Sequence, residues 1–118
     1  YALELKTVKG KSISFERSKG ETGDIHFYQI EGLEKLNNVG NCVCGFIIEF
    51  REIEKTIFLN IKDFMKLSDM IEKKSFTILD LDSNNIPYVV IEQRLMKTNS
   101  KYNVEDFLKV TAVNYYRR

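Results

Sequence analysis

The sequence predicts an α/β domain built on a mixed β-sheet flanked by helices. The first observation is a near-continuous apolar run at residues 42–50, which is typical of a central strand covered on both faces. The second is the order of the segments around this run: two extended segments and a helical one come first, and another extended one follows. Strands and helices in this order indicate a mixed sheet with helices packed on it.

The bulk composition sets the class of protein. The 118 residues fit a single domain, residues 1–118, because domains most often run to about 100–150 residues. With 43% hydrophobic and 30% charged residues, the chain lies outside the range of intrinsically disordered proteins. No apolar run approaches the ~18 residues needed to span a bilayer, and the start has no signal-peptide pattern. We therefore expect a cytoplasmic protein that has no membrane partner.

Two short strands are expected at the start of the chain. Polar and apolar residues alternate over Ala2–Val8, and a second extended stretch follows at residues 12–15. Because a Lys9-Gly10 turn separates them, we expect these strands to form a hairpin or a bent edge. Residues 16–23 are polar and punctuated by glycine, which is typical of a loop.

The next segment predicts a helix. Asp24 is the expected N-cap, and apolar residues then recur at roughly helical spacing through Ile30, Leu33 and Leu36. Gly40 follows this run and is expected to help end the helix.

The second half of the chain continues the pattern. The central strand should pair with residues 56–61, because a polar turn separates the two apolar runs. A second helix is expected from Ile61 or Lys62. Residues 76–81 and 86–91 are expected to be extended, with Pro87 near the start of the latter. A last helix is predicted from the spacing of Val104, Phe107, Leu108 and Thr111.

The cysteines carry no predicted chemistry. Cys42 and Cys44 would point to the same face of a strand, where neighbours are poorly oriented for a disulfide. Two thiols and the distant His26 are too few for a zinc site. We interpret both cysteines as small buried hydrophobic residues.

Charge alone does not identify a partner. The net charge is +1, so any binding of nucleic acid must depend on local clusters of basic residues. A solvated charged surface explains such clusters equally well. They occur near both ends of the sequence: Lys6, Lys9, Lys11, Arg17 and Lys19 at the start, and Lys97, Lys101, Lys109, Arg117 and Arg118 at the end.

The segment Glu4-Leu5-Lys6 is the candidate catalytic strand. Side chains on a strand alternate, so Glu4 and Lys6 share one face, with the Leu5 carbonyl between them. Carboxylate and carbonyl oxygens are ligands that Mg²⁺ accepts, and such an ion assists phosphodiester cleavage. Lys6 can orient the attacking water or stabilise charge on the phosphate. An E-x-K pair is common by chance, and Glu72-Lys73-Lys74 repeats it at an expected helix end.

Across most of the chain, the order and spacing of several landmarks resemble the RecU-type Holliday junction resolvases, a branch of the PD-(D/E)xK nuclease superfamily. The landmarks are Glu4-Leu5-Lys6-Thr7, Lys11-Ser12-Ile13-Ser14-Phe15, Ile25-His26-Phe27-Tyr28-Gln29, residues 40–50, Thr56-Ile57-Phe58-Leu59, Ile86-Pro87-Tyr88 and Asp106-Phe107-Leu108.

This resemblance implies a restriction-endonuclease-like core and a structure-selective DNA endonuclease. The enzyme would depend on Mg²⁺, with Mn²⁺ as the alternative ion, and would act as a homodimer on branched DNA. It would resolve Holliday junctions in recombination and repair. The implied site consists of Glu4 and the Leu5 carbonyl as metal ligands, Lys6 as the catalytic lysine beside Glu4, Gln29 as a supporting residue, and Lys11 with Lys9 facing the DNA backbone.

The chain departs from the family in one respect. The family's second metal-binding carboxylate is an aspartate on the strand before the E-x-K strand, and neither that strand nor the family's first helix and stalk is recognisable here. Because the sequence opens on a strand already in progress at Tyr1, we expect a piece of a longer polypeptide. Glu16, Glu21 and Asp24 are acidic residues of the following loop that could substitute for the aspartate.

Three alternatives therefore stay open at this stage. His26 is either a base for the reaction or a solvent-facing residue at a helix start. The domain as a whole is either the resolvase-like enzyme or a non-catalytic DNA-binding or interaction module that keeps a nuclease-like fold. Within the enzyme class, another PD-(D/E)xK endonuclease of restriction or repair would also contain the E-x-K strand.

Overall fold

The computed structural model describes residues 1–40 and 42–91. The predicted last helix, the basic cluster near the end of the chain and the Asp106-Phe107-Leu108 landmark lie outside these residues. The described elements are β1 (Ala2–Val8), β2 (Ser12–Ser14), α1 (Phe27–Val39), β3 (Cys44–Phe50), β4 (Lys55–Asn60), α2 (Ile61–Met70), β5 (Ser75–Thr77), α3 (Ile78–Ser83) and β6 (Val89–Ile91).

The main sheet has four strands in the order β1, β3, β4, β6. Strand β1 runs parallel to β3, whereas β3 with β4 and β4 with β6 are antiparallel pairs. Helices α1 and α2 pack against this sheet. The predicted fold class, an α/β domain with a mixed sheet flanked by helices, is therefore confirmed, and this architecture is compatible with a restriction-endonuclease-like core.

Strand β3 is the central strand that the apolar run predicted. All of its residues are buried except Glu49, which is half-buried. Gly45 allows β4 to approach closely, because a Cβ at this position would overlap the carbonyl oxygen of Leu59 and lie 2.9 Å from the Phe58 ring. The predicted pairing with the next strand is also confirmed, since Phe46 lies opposite Leu59 in the β3–β4 register.

The main core lies between the helices and one face of the sheet, called here the helix-side face. Helix α1 contributes Ile30 and Leu33 to it, and α2 contributes Phe64 and Leu67. The Phe64 ring meets the Phe46 ring edge-on at 5.2 Å between centroids. Each large side chain buried in this way stabilises the fold by about 1.5–3 kcal/mol.

Of the two arrangements expected for the first two strands, a hairpin or a bent edge, the hairpin is wrong. Strand β2 pairs with β5 in a separate antiparallel ribbon, where Ile13 lies opposite Phe76. Both of these side chains are fully buried in the main core. The physical reason is that pairing with β5 places Ile13 beside Phe76, where both side chains are buried in the main core.

The first helix begins later than predicted. Its N-cap is His26, whereas Asp24 accepts hydrogen bonds from the backbone N–H and the hydroxyl of Ser14. Ile25 is still extended, forming a parallel bridge with Phe15. The predicted end of α1 at Gly40 is confirmed, since Gly40 is the C-cap and adopts a φ of +89°.

Residues 78–81 are helical, although they were expected to be extended. Thr77 caps α3 by accepting from the Asp80 backbone N–H, and the Asp80 carboxylate accepts from the Thr77 backbone N–H. This reciprocal capping box favours a helix start over a continuing strand. The second helix and the extended residues at β6 agree with expectation.

The opposite face of the sheet carries a second, smaller apolar cluster of Ile47, Phe58 and Ile91. Among residues 1–40 and 42–91, no helix has the length and apolar character required to cross a membrane.

Candidate functional site

Glu4 and Lys6 lie on the helix-side face of β1. Their partners across the parallel β1–β3 register are Phe46 and Ile48, which both belong to the main core. Both side chains are half-buried at the edge of that core. The structure therefore places the predicted carboxylate and lysine on one face, two residues apart on a regular strand.

Gln29 joins the helix to this strand. Its side-chain Nε2 donates to the Glu4 carboxylate at 3.3 Å, and its Oε1 accepts from the His26 backbone N–H at 3.0 Å. The contact forms because the first turn of α1 packs beside the first half of β1. Gln29, the predicted supporting residue, thus touches the predicted metal ligand directly.

The Leu5 carbonyl lies on the open edge of β1. The Ala2 N–H and the Val8 carbonyl both bond toward β3, so even-numbered residues of β1 direct their backbone groups to β3. Odd-numbered residues point the other way, since successive peptide groups of a strand alternate. No described strand pairs with that edge, so the Leu5 carbonyl is accessible next to Glu4.

A cleft of about 270 Å³ opens between β1 and α1 beside this edge. Glu4 and Gln29 form its polar part, while Leu33 and Leu36 supply apolar walls. The cleft gives solvent and small groups access to the Glu4 carboxylate.

Lys9 and Lys11 are exposed in the turn that follows β1. Neither they nor Lys6 form an ion pair within the part of the chain that the structure describes. Their ammonium groups are consequently available to a polyanion approaching the end of β1.

Arg17, by contrast, is not available for DNA. Its guanidinium donates to the backbone carbonyls of Ser68 at 2.8 Å, Ile71 at 2.7 Å and Lys73 at 3.0 Å. It also lies 5.0 Å from the centroid of the Phe15 ring. These contacts cap the C-terminal end of α2, where a cation is favoured. Arg17 therefore holds the fold together rather than extending the basic surface.

The acidic residues of the loop after β2 are also engaged in structure. Glu21 accepts from two backbone N–H groups of its own loop and pairs with Lys74, and these bonds lower its pKa to about 2. Asp24 is bonded to Ser14. In their described positions, neither carboxylate adds a second ligand beside Glu4.

Glu16 forms the most extensive of these loop interactions. It is only 7% exposed, and it accepts from the Phe27 and Gly23 backbone N–H groups and from His26 Nδ1 at 2.9 Å. The bond from Phe27, with that of His26, holds the pKa of Glu16 below its ordinary value. The half-exposed imidazole also stacks on Tyr28, with 5.5 Å between ring centroids. Apart from the two residue types, nothing in the sequence predicts the contact between Glu16 and His26.

The donor atoms beside β1 are suited to Mg²⁺. Glu4 and the Leu5 carbonyl are hard oxygen ligands, and Mg²⁺ is commonly held by one or two carboxylates together with substrate phosphate and water. No group of three or more acidic, histidine or cysteine side chains converges to hold an ion within residues 1–40 and 42–91. Glu4 and the Leu5 carbonyl are thus the described oxygen donors that could hold such an ion.

The two cysteines are free thiols whose Sγ atoms lie 3.3 Å apart. Burial, assisted by the neighbouring Cys42, raises the pKa of Cys44 to about 11, so this thiol stays protonated at neutral pH.

Comparison with known proteins gives one relative for the chain. It is 36% identical over 75 residues to the SPbeta prophage-derived uncharacterized protein YotM of Bacillus subtilis (strain 168). The alignment covers 63% of this chain and 36% of the relative, so the aligned part spans about a third of that protein's length. No protein family model matches the chain. No solved structure matches it significantly.

Proposed function

We propose that this chain is the core of a Mg²⁺-dependent, structure-selective DNA endonuclease similar to the RecU-type Holliday junction resolvases. One observation supports this most strongly: Gln29 contacts Glu4, on the same face of β1 as Lys6. The sequence resemblance assigns all three residues to the family's site. The glutamate of a chance E-x-K pair is not expected to contact the glutamine that matches the family's helix opening and lies 25 positions away.

The roles follow from the chemistry of each group. Glu4 and the Leu5 carbonyl would hold Mg²⁺, which when bound neutralises phosphate charge and acidifies water. Lys6 would stabilise the charge that develops on the phosphate during cleavage. Gln29 would hold the Glu4 carboxylate in place, as outer residues of metal sites commonly do.

The partner would be branched DNA bound along the basic turn. Lys9 and Lys11 extend from the end of β1 and would contact the DNA backbone, where each phosphate contact contributes affinity that salt weakens. By the same family resemblance, the protein would act as a homodimer in recombination and repair, with Mn²⁺ able to replace Mg²⁺. Its location would be the cytoplasm, as the sequence predicts.

A specific observation favours an alternative. Among the described residues, no group of three or more acidic, histidine or cysteine side chains converges to hold an ion, and the loop acids bond elsewhere. A non-catalytic DNA-binding module with a nuclease-like fold would look the same. In the enzyme, residues outside the described part would have to supply the second carboxylate.

The deciding experiment uses the natural protein that contains this chain. We expect it to cut a synthetic four-way junction in Mg²⁺ more readily than linear duplex of the same sequence. Glu4→Ala and Lys6→Ala should each lower cutting by about 10²-fold or more, while junction affinity in the absence of metal stays largely intact. Lys35→Ala, on the exposed side of α1, serves as a matched control that should cut normally.

Three outcomes discriminate between the hypotheses. Full cutting by either β1 variant would reject the site. Junction binding without any cutting by the wild type would favour the non-catalytic module. Equal cutting of junction and duplex would favour another PD-(D/E)xK endonuclease.

A further inference from the structure

No side-chain cap hydrogen bond of His26 is present at the start of α1, where Gln29 N–H donates to the His26 backbone carbonyl and Gln29 Oε1 accepts from the His26 backbone N–H. N-caps are usually Ser, Thr, Asp or Asn, whose side-chain oxygens accept from the first N–H groups of the helix. Here the buried Glu16 carboxylate reaches in from the preceding loop and accepts from the Phe27 N–H at 3.0 Å. The Phe27 N–H is therefore satisfied by a carboxylate, and the strongest contact of the imidazole is with that same Glu16.

The imidazole is held in one orientation by two independent contacts. Nδ1 lies 2.9 Å from the Glu16 carboxylate, and the ring plane lies within 7° of the Tyr28 ring. An ionised Glu16 can only accept hydrogen bonds, so Nδ1 must carry the proton that the two groups share. In the neutral ring, Nε2 then carries a lone pair on the side away from Glu16. The side chain is 45% exposed, so this nitrogen can reach water.

The same residue is linked to the candidate site. The His26 backbone N–H donates to Gln29, and the other end of the Gln29 amide donates to Glu4. The Gln29 side chain thus links the His26 backbone to the Glu4 carboxylate, which is the candidate metal ligand. Among the described residues, Glu16 from the loop and Tyr28 on α1 contact the ring, while Glu4 and Lys6 lie on β1 beyond Gln29.

We infer that His26, oriented by Glu16, is the general base of the proposed cleavage, accepting a proton from the attacking water directly or through one intervening water. This inference rests on the proposed function. The water oxygen bonds to phosphorus as one P–O ester bond breaks. The water proton passes to Nε2, the departing sugar oxygen takes a proton from solvent, and His26 then returns its own proton to solvent. Bases positioned in this way typically contribute about 10²–10⁴-fold to rate.

One measurement tests the orientation without metal or cleavage. His26 is the chain's single histidine, so its ¹⁵N resonances can be assigned without ambiguity. At a pH where the ring is neutral, we expect Nδ1 to be protonated and Nε2 to be bare. Glu16→Gln should shift the ring toward the opposite tautomer, because its amide can donate to Nδ1. A wild-type ring that carries its proton on Nε2 would overturn the inference.

The second measurement is single-turnover cleavage of a four-way junction in saturating Mg²⁺ by the natural protein. His26→Gln and Glu16→Gln should each slow cleavage by about 10²-fold with unchanged junction affinity. Added imidazole should restore part of the rate of His26→Ala. Glu34→Gln, an exposed carboxylate on the same helix, should behave like the wild type.

The possible failures can be told apart. If wild type cuts and His26→Gln, folded by its thermal melt, cuts within threefold of it, the His26 role is rejected while the proposed function stands. If wild type cuts no DNA, the proposed function fails and this inference falls with it. His26→Gln and His26→Ala keep the test valid even if Glu16→Gln does not fold, since the His26 side chain is half-exposed.

Discussion

The side-chain amide of Gln29 donates to the carboxylate of Glu4 across 3.3 Å, joining the first turn of α1 to β1. The same amide accepts from the His26 backbone at 3.0 Å, so both ends of the Gln29 side chain are held. A carboxylate fixed in this way needs little rearrangement to serve as a ligand, which is how an outer residue tunes a metal site.

Replacing Gln29 should therefore weaken the binding of Mg²⁺ at the candidate site. We expect Gln29→Ala to raise the Mg²⁺ concentration required for half-maximal cutting by about 10-fold or more. Metal titration of junction cleavage measures this effect. Asn38→Ala, exposed near the other end of α1, is the control and should leave the titration unchanged. An identical titration for Gln29→Ala would show that the contact with Glu4 has no functional role.

Arg17 should be important for stability. Its guanidinium donates to three backbone carbonyls after and within the last turn of α2. Arg17→Ala leaves these acceptors without their charged donor, so the free energy of unfolding should fall by about 2–3 kcal/mol. Urea unfolding measures the loss, and Lys19→Ala, an exposed residue of the same loop, should change it by less than about 0.5 kcal/mol. Equal midpoints for the two variants would contradict this account.

Acid should destabilise the fold partly through Glu21. The Lys74 ion pair, with backbone bonds from Arg17 and Ser18, lowers the Glu21 pKa from 4.5 to about 2. A carboxyl whose pKa is depressed on folding stabilises the protein above its unfolded pKa and loses that contribution as pH falls toward the folded value. Between pH 4.5 and about 2, wild type should lose more stability than Glu21→Gln. Denaturant unfolding at about pH 6 and about pH 3 measures the loss of stability in wild type and in Glu21→Gln. Equal losses in the two proteins would contradict this prediction.

Two glycines should respond in opposite ways to alanine. At Gly45 a Cβ would overlap the Leu59 carbonyl and lie 3.0 Å from the Asn60 Cα, so Gly45→Ala should destabilise the sheet by about 1–3 kcal/mol. At Gly32, inside α1, a Cβ meets nothing within 4 Å. Gly32→Ala should therefore stabilise the protein by about 0.5–1 kcal/mol. Thermal melts of the two variants check both signs.

Local patterns predicted much of the sheet and its central helices. The apolar run ending at Phe50 identified a buried strand, because a strand covered on both faces is apolar at consecutive positions and this run is rich in β-formers. The alternation in β1 placed Glu4 and Lys6 on one face for a similar reason, since the side chains of a strand have a period of two. The helix-ending signal at Gly40 predicted the end of α1 correctly. The capping box that begins α3 was not among the predictions.

By itself, then, the sequence determined most of the described strands and helices and placed Glu4 and Lys6 on one face of β1, since these features depend on neighbours a few positions away. Only the tertiary structure decided which distant groups meet. It paired β2 with β5 instead of β1, assigned Arg17 to the end of α2, and brought Glu16 to the His26 ring. The physical reason is that such contacts depend on how whole elements pack, and no local period or cap encodes the distance between them.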